Sequence, residues 1–430
     1  MRAGNRRPGE RGCRAEPEEC TLTMARPFLR RSLGVAAYLA SLHVLFLYGL
    51  PSGLLMALAV ALAAIYWRAG VTASVTITGA LAGVTLLYAV ILHVSGFKDS
   101  MYYRPDEMLS EFRDDYGHRA YRPHATIRMR VPHGDLQPMT REEIRVPRDV
   151  DHHIDGYGFR NDADYAGEKY VLVGDSFIAG SSNTQADLLS RQLRDRYGIA
   201  AYNLAHPGGL PDYAAYVTAF RRRHTGFRVL LFVFEGNDFA DKAGEKPGTA
   251  TRLWKSYYTI FSDTATHRFT KSLIKRATHR AQIAGSSYVT VREADGRKLA
   301  FLTRYIEATR ATDQAPLPAF EQALRELRPW LAQVYFIPTN YRLYFEHIEQ
   351  QPLAGLPDAK WNYLSALCRR EGIACTNLTE PMRRAANRLW PRGELLWWPD
   401  DSHWNRQGIA VAAQAVQATL RQLERDRPRP

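Results

Sequence analysis

The sequence predicts an α/β protein with a parallel sheet covered by helices on both faces, preceded by a hydrophobic N-terminal stretch. Three observations predict it. Short apolar runs such as Arg228–Phe234 recur through the second half of the chain, and strands buried on both faces read as continuous hydrophobic runs. Amphipathic helical stretches alternate with these runs, which is the pattern of βαβ units. Residues 33–95 are almost wholly apolar, whereas the remainder has the composition of a water-soluble protein.

The chain has 430 residues, 46% of them hydrophobic, and a formal charge of +13. That length is too great for one ordinary domain and too small for three. Clustered Lys and Arg would point to phosphate binding. Here they are dispersed, and the densest run, Arg221-Arg222-Arg223-His224, ends an expected helix, where cations suit the dipole. No helix-turn-helix, zinc-finger or RNA-binding signature occurs, so nucleic acid is not an expected partner. Four cysteines fall as Cys13/Cys20 and Cys368/Cys375, with no CxxC and no zinc spacing. Cys368 and Cys375 form either a disulfide, if they face an oxidising compartment, or two partly buried thiols.

Taking the elements in order, residues 1–31 form a polar tail rich in Arg, Gly, Glu and Pro, and Met24 makes a natural start for a membrane protein. Residues 33–50, 54–67 and 71–94 are three apolar runs, and a helix needs about 20 apolar residues to cross a bilayer. The expected anchor, 32–95, therefore has three spans, unless the first pair makes one re-entrant hairpin. A cleaved signal peptide fits poorly, because the tract is too long and further spans follow. Arg26, Arg30 and Arg31 before the first run and Arg68 after the second place those flanks in the cytoplasm. Everything after Val94 then lies on the far side of the membrane, with the bilayer as a partner.

A Tyr- and charge-rich connector, 96–165, leads to the regular part, 166–425. Strands are expected at 169–173, 200–204, 228–234, 334–337 and 373–378. Helices are expected at 184–197, from Pro211 onward, and at 317–331, 359–370 and 405–424, with a polar insertion near 240–315. In parallel sheets of this kind ligands sit beyond the carboxyl ends of the strands. There the sequence puts Gly174-Asp175-Ser176, then Asn203 to Gly209, then Glu235-Gly236-Asn237-Asp238, and finally Asp400-Asp401-Ser402-His403 before the last helix.

Each group has a chemical meaning. A serine on a strand-to-helix turn is exposed, and the helix N-terminus favours developing negative charge. A glycine N–H or an asparagine amide can meet a reacting oxygen. A histidine can take the serine proton when a carboxylate holds its other nitrogen. Each group alone is also an ordinary turn or helix cap. Four of them in this order at strand ends point to one site.

These blocks resemble the SGNH (GDSL-type) hydrolases across roughly 155–420. The resemblance implies a flavodoxin-like three-layer α/β/α sandwich. It implies Ser176 as nucleophile and His403 as base. It implies Ser176, Gly208 and Asn237 as the oxyanion hole, and Asp400 as the triad carboxylate with Asp401 as the alternative. Two departures stand out: Glu235 replaces the first glycine of the Gly-x-Asn-Asp block, and Asp401 offers the Asp-x-His spacing of some relatives. The Asp155-Gly-Tyr-Gly-Phe-Arg-Asn161 stretch resembles the lead-in of secreted or anchored members. Residues 337–341 resemble the Pro-Thr-Lys segment of the alginate O-acetyltransferase branch, with Asn340 in place of lysine.

The function expected is a membrane-anchored serine esterase or O-acyltransferase, working through acyl-Ser176 on a cell-envelope carbohydrate. A transferase would receive its acyl group from a membrane partner protein, since three spans are too few to export a donor. The alternative is a catalytically silent binding or assembly subunit of an envelope polysaccharide complex. Neither cofactor nor metal is called for. Asp151-His152-His153 reads as a surface loop, since adjacent histidines on an extended chain point apart and rarely chelate one ion.

Overall fold

In the computed structural model, the described residues are 109–140, 142–240 and 288–425, together with Thr76, Gly79, Ala80 and Gly83, which are helical. The Met24 start, most of the 240–315 insertion and nearly all of the expected anchor lie outside them. Among the described residues no helix is long and apolar enough to cross a membrane.

Two antiparallel pairs come first: β1 (Ser110–Arg113) with β2 (His118–Tyr121), and β3 (Thr126–Val131) with β4 (Arg148–His153). Then follow β5 (Tyr170–Val173), α1 (Ser176–Ala179), α2 (Leu189–Tyr197), β6 (Ala201–Asn203), α3 (Leu210–Arg221) and β7 (Arg228–Phe234). A third hairpin, β8 (Val289–Ala294) and β9 (Arg297–Leu302), precedes α4 (Thr303–Arg310) and α5 (Pro318–Leu327). The chain continues through β10 (Leu331–Ile337), α6 (Asn340–Glu349), α7 (Ala359–Glu371), β11 (Cys375–Asn377), α8 (Thr379–Leu389) and α9 (Arg406–Arg425).

Five strands form one parallel sheet in the order β11-β10-β7-β5-β6. Strand residues alternate between its faces. Val171, Val173, Val229, Leu231 and Val233 pack with α3, α5 and α7 through Val217, Phe320 and Leu364. Leu172, Leu230, Phe232 and Phe234 pack with α2, α8 and α9 through Leu193, Met382 and Val416. Each such side chain stabilises the fold by about 1.5–3 kcal/mol on burial. Truncating fully buried Leu231 to alanine would cost about 2–5 kcal/mol.

The chain steps from β5 outward to β6, then returns past β5 to β7. Crossovers of one hand therefore send α2 and α3 to opposite faces. The strand order reverses beside β5, and in sheets of this kind ligands bind at such a switch point, beyond the carboxyl end of the strand. Helices α2 and α7 end at Gly198 and Gly372, with φ of 67° and 64°, a left-handed conformation that costs glycine little. Across the second of these turns Cys368 and Cys375 are joined, with Cα atoms 6.3 Å apart, inside the usual disulfide range.

Two expectations are corrected. The 96–165 stretch is no passive connector, because from Leu109 it carries two strand pairs and belongs to the same compact unit as the sheet. Residues Asp151-His152-His153 are the end of β4, not a surface loop. Alternation along β4 turns Arg148, Val150 and His152 inward, and His152 is fully buried. Burial holds its imidazole well below the usual pKa, with Arg160 adding to the effect.

Candidate active site

Ser176 is the first residue of α1, and its N–H has no acceptor within the helix. Asp175 caps the helix by accepting the Phe177 N–H at 2.9 Å. Burial pushes the Asp175 carboxyl up to about 6, against the pull of the Phe177 N–H, His403 and Asn237. Gly208 lies two residues before α3, and Asn237 follows β7, its amide oxygen buried without a partner. The three sequence-derived oxyanion residues thus stand beyond the carboxyl ends of the neighbouring strands β5, β6 and β7.

The α1 turn is braced from below by the 155–161 lead-in. Arg160, 1% exposed, donates to the Gly180 carbonyl at 2.6 Å and to that of Asn183 at 2.7 Å. Asn161 bridges the Asp155 carboxylate and the Asn203 carbonyl, both at 2.9 Å. Asn203 in turn donates to the Ile178 carbonyl at 3.0 Å. The serine turn is therefore clamped to the end of β6 by side chains that the apolar pattern does not reveal.

His403 Nε2 lies 2.8 Å from Ser176 Oγ. Its Nδ1 lies 2.7 Å from Asp401 Oδ1, which also accepts the His403 backbone N–H at 3.0 Å. The carboxylate that meets His403 is thus Asp401, not Asp400. Asp400 is turned elsewhere: it accepts the N–H groups of Gly134 at 2.6 Å and Val146 at 2.9 Å. Spacing alone gave Asp400 its preference, whereas on this loop the two successive side chains serve different neighbours.

Asp401 Oδ2 accepts from Ser182 Oγ at 2.6 Å, the Asp135 N–H at 3.0 Å and Arg148 Nη2 at 3.2 Å. Its carboxyl is held far below the ordinary range: burial opposes ionisation, but the His403 hydrogen bond and charge, Arg148 and Ser182 outweigh it. Asp135 accepts from the Ser402 N–H at 2.8 Å and its hydroxyl at 2.7 Å, fixing the residue before His403. Nothing in the sequence pattern flags Ser182, Asp135 or Arg148; the inward alternation of β4 is the only signal that could have found Arg148. No protein-family model matches the chain, and no curated protein matches it.

Chemically the arrangement can act as a proton relay. With Nδ1–H donated to Asp401, Nε2 holds a lone pair that can accept the Ser176 hydroxyl proton. Among the described residues Asp135, Asp401 and His403 come close enough to share a cation. Their facing atoms are committed instead: Asp401 Oδ1 to Nδ1, and both Asp135 oxygens to Ser402.

Proposed function

We propose that the chain is a serine acyl-transfer enzyme of the SGNH type, a membrane-anchored esterase or O-acyltransferase acting on a cell-envelope carbohydrate. The observation that carries this reading is the continuous Ser176–His403–Asp401 relay at the carboxyl end of β5. Counting only the parallel strands in chain order, their arrangement is 2-1-3-4-5, which is the flavodoxin-like order. The Cys368–Cys375 bridge suits an oxidising compartment beyond the membrane.

In the proposed reaction His403 Nε2 takes the Ser176 hydroxyl proton as Oγ adds to the acyl carbonyl. The oxyanion is held by the N–H groups of Ser176 and Gly208 and the amide of Asn237, each donor of this kind contributing about 2.7–4 kcal/mol. The imidazolium, paired with Asp401, returns the proton to the leaving alcohol, and the acyl group stays on Oγ. Water or a sugar hydroxyl then gives its proton to His403 as its oxygen attacks the acyl carbon; the acyl–Oγ bond breaks and His403 returns the proton to Oγ, regenerating Ser176. A sugar acceptor calls for a membrane partner that supplies the acyl donor.

The test uses the full chain in detergent. A fluorophosphonate should label wild-type protein and not Ser176→Ala, and p-nitrophenyl acetate turnover should vanish in that variant. Undiminished turnover in folded Ser176→Ala, or no labelling of wild type, refutes the reading. An added oligosaccharide acceptor then divides transferase from esterase: acylated sugar for one, free acetate alone for the other.

A further inference from the structure

Arg148 belongs to β4, far in sequence from the triad, yet its Nη2 sits 3.2 Å from Asp400 Oδ1 and 3.2 Å from Asp401 Oδ2. Its side chain is 5% exposed, and the two carboxylates are 0% and 1% exposed. Adjacent buried carboxylates cannot both stay ionised without a cation, because like charges in a dry site force one of them to keep a proton. A guanidinium serves here because it does not deprotonate in proteins.

The placement of this cation is enforced on several sides. The Trp398 ring lies 4.3 Å from the guanidinium carbon, an attractive contact with the ring face. Gly134 closes another side: a Cβ there would come within 2.6 Å of Arg148 Nη2 and of Asp401 Cβ. Asp400, held by Arg148, fastens the Gly134 and Val146 N–H groups, so the loop that carries Arg148 into place is itself tied to the carboxylate pair.

We propose that Arg148 is a positioning residue of the triad, which keeps the Asp400/Asp401 pair ionised so that Asp401 holds His403 while Asp400 holds the 134–146 loop. This rests on the acyl-transfer reading above. Arg148 faces Asp400 and Asp401 directly; Asp135 and His403 touch Asp401 in turn, and Asp175 before α1 acts on His403. Four of these are carboxylates, so loss of the guanidinium leaves an excess of negative charge. A proton then enters the pair at higher pH, and the imidazolium is favoured as well. Both effects push the onset of activity upward in pH.

The experiment compares full-length wild type, Arg148→Gln and Arg148→Lys. It reads the pH dependence of fluorophosphonate labelling and of ester turnover, and the downfield proton of the His403–Asp401 hydrogen bond by NMR. In Arg148→Gln, kcat should fall on the order of 100-fold at neutral pH with KM unchanged. The acid limb should rise by roughly one pH unit or more, and the downfield proton should be lost in the same range. Arg148→Lys should keep the limb near its wild-type position. A folded Arg148→Gln protein with an unmoved limb and an intact downfield proton overturns the proposal. So does failure of both variants to fold, which would make Arg148 a folding residue. Absence of Ser176-dependent labelling in wild type refutes the acyl-transfer reading instead, and the NMR comparison still decides the role of Arg148.

Discussion

Glu235 and Arg342 meet in a pair from which water is excluded. Arg342 Nε and Nη2 reach the carboxylate at 2.6–3.0 Å, and the side chains are 2% and 1% exposed. The same carboxylate accepts the Thr339 N–H at 3.0 Å, and the Glu235 carbonyl accepts from Lys360 Nζ at 2.8 Å. The residue that departs from the resembled glycine thus ties the end of β7 to the start of α6.

Glu235→Ala should destabilise the protein by about 3–5 kcal/mol, because it leaves a buried guanidinium with only the half-exposed Asp358 and the Pro357 carbonyl as partners. The double variant Glu235→Ala/Arg342→Met should lose much less than the sum of the single losses. Urea unfolding of the three variants checks this, and additive losses would mean that the pair is not coupled.

The two loop carboxylates should separate by function. Asp401→Asn should lower kcat roughly 10,000-fold, since an amide donates where the imidazole N–H needs an acceptor. Asp400→Asn leaves the Asp401–His403 bond in place and should cost about 1–3 kcal/mol of stability, with kcat within roughly 10-fold of wild type. Equal kinetic losses in the two would contradict the assignment.

His206 gives a pH prediction. Burial pulls its imidazole down to about 4, and Arg119 and His118 oppose its charge, while the Pro207 carbonyl and Asp212 favour it. The unfolded chain, titrating near 6.5, therefore binds the proton first as pH falls. Its contribution is full above about pH 6.5 and is lost on the way down to about 4, on the order of 3 kcal/mol. Asp175 works in the opposite sense, because its native carboxyl, at about 6, takes a proton before the unfolded one does. His206→Gln should flatten the acid loss of Tm relative to wild type; parallel curves would show that His206 is not its source.

The disulfide closes a short loop, with a sequence separation of 7, for which loop-closure entropy gives about 2.5 kcal/mol. Cys368→Ser should lower the stability of oxidised protein by about that amount, and reductant should do the same to wild type. Maleimide labelling before and after reduction checks the bond directly: two further thiols should appear on unfolding in reductant.

The parallel strands were legible because burial on both faces demands unbroken apolar runs, as in Tyr170–Val173 and Arg228–Phe234. Helices α6 and α8 are not among the elements that the sequence predicts. The first is opened by a Thr339 cap after an apolar strand, and the second follows β11 almost without a break. The ribbon β3–β4 gave little signal, since β3 carries arginines at Arg128 and Arg130 and buries only Val131 fully. Ser176 and His403 could be read from local turn chemistry. The partners of Asp401 could not: Arg148 and Ser182 reach it across 253 and 219 residues, and such contacts leave no mark on local periodicity. The same holds for the choice between Asp400 and Asp401, which depends on what each side chain meets.

The loop of residues 134–146, held by Asp400, also says where this protein can be cut and spliced. Gly134, Asp135, Val146 and Arg148 reach the triad loop from outside the strand-and-helix repeat. A graft of residues 166–425 onto another scaffold would carry Ser176 and His403 but leave behind groups that hold Asp401. The smallest transplantable version of the proposed chemistry begins no later than the β3–β4 ribbon at Thr126.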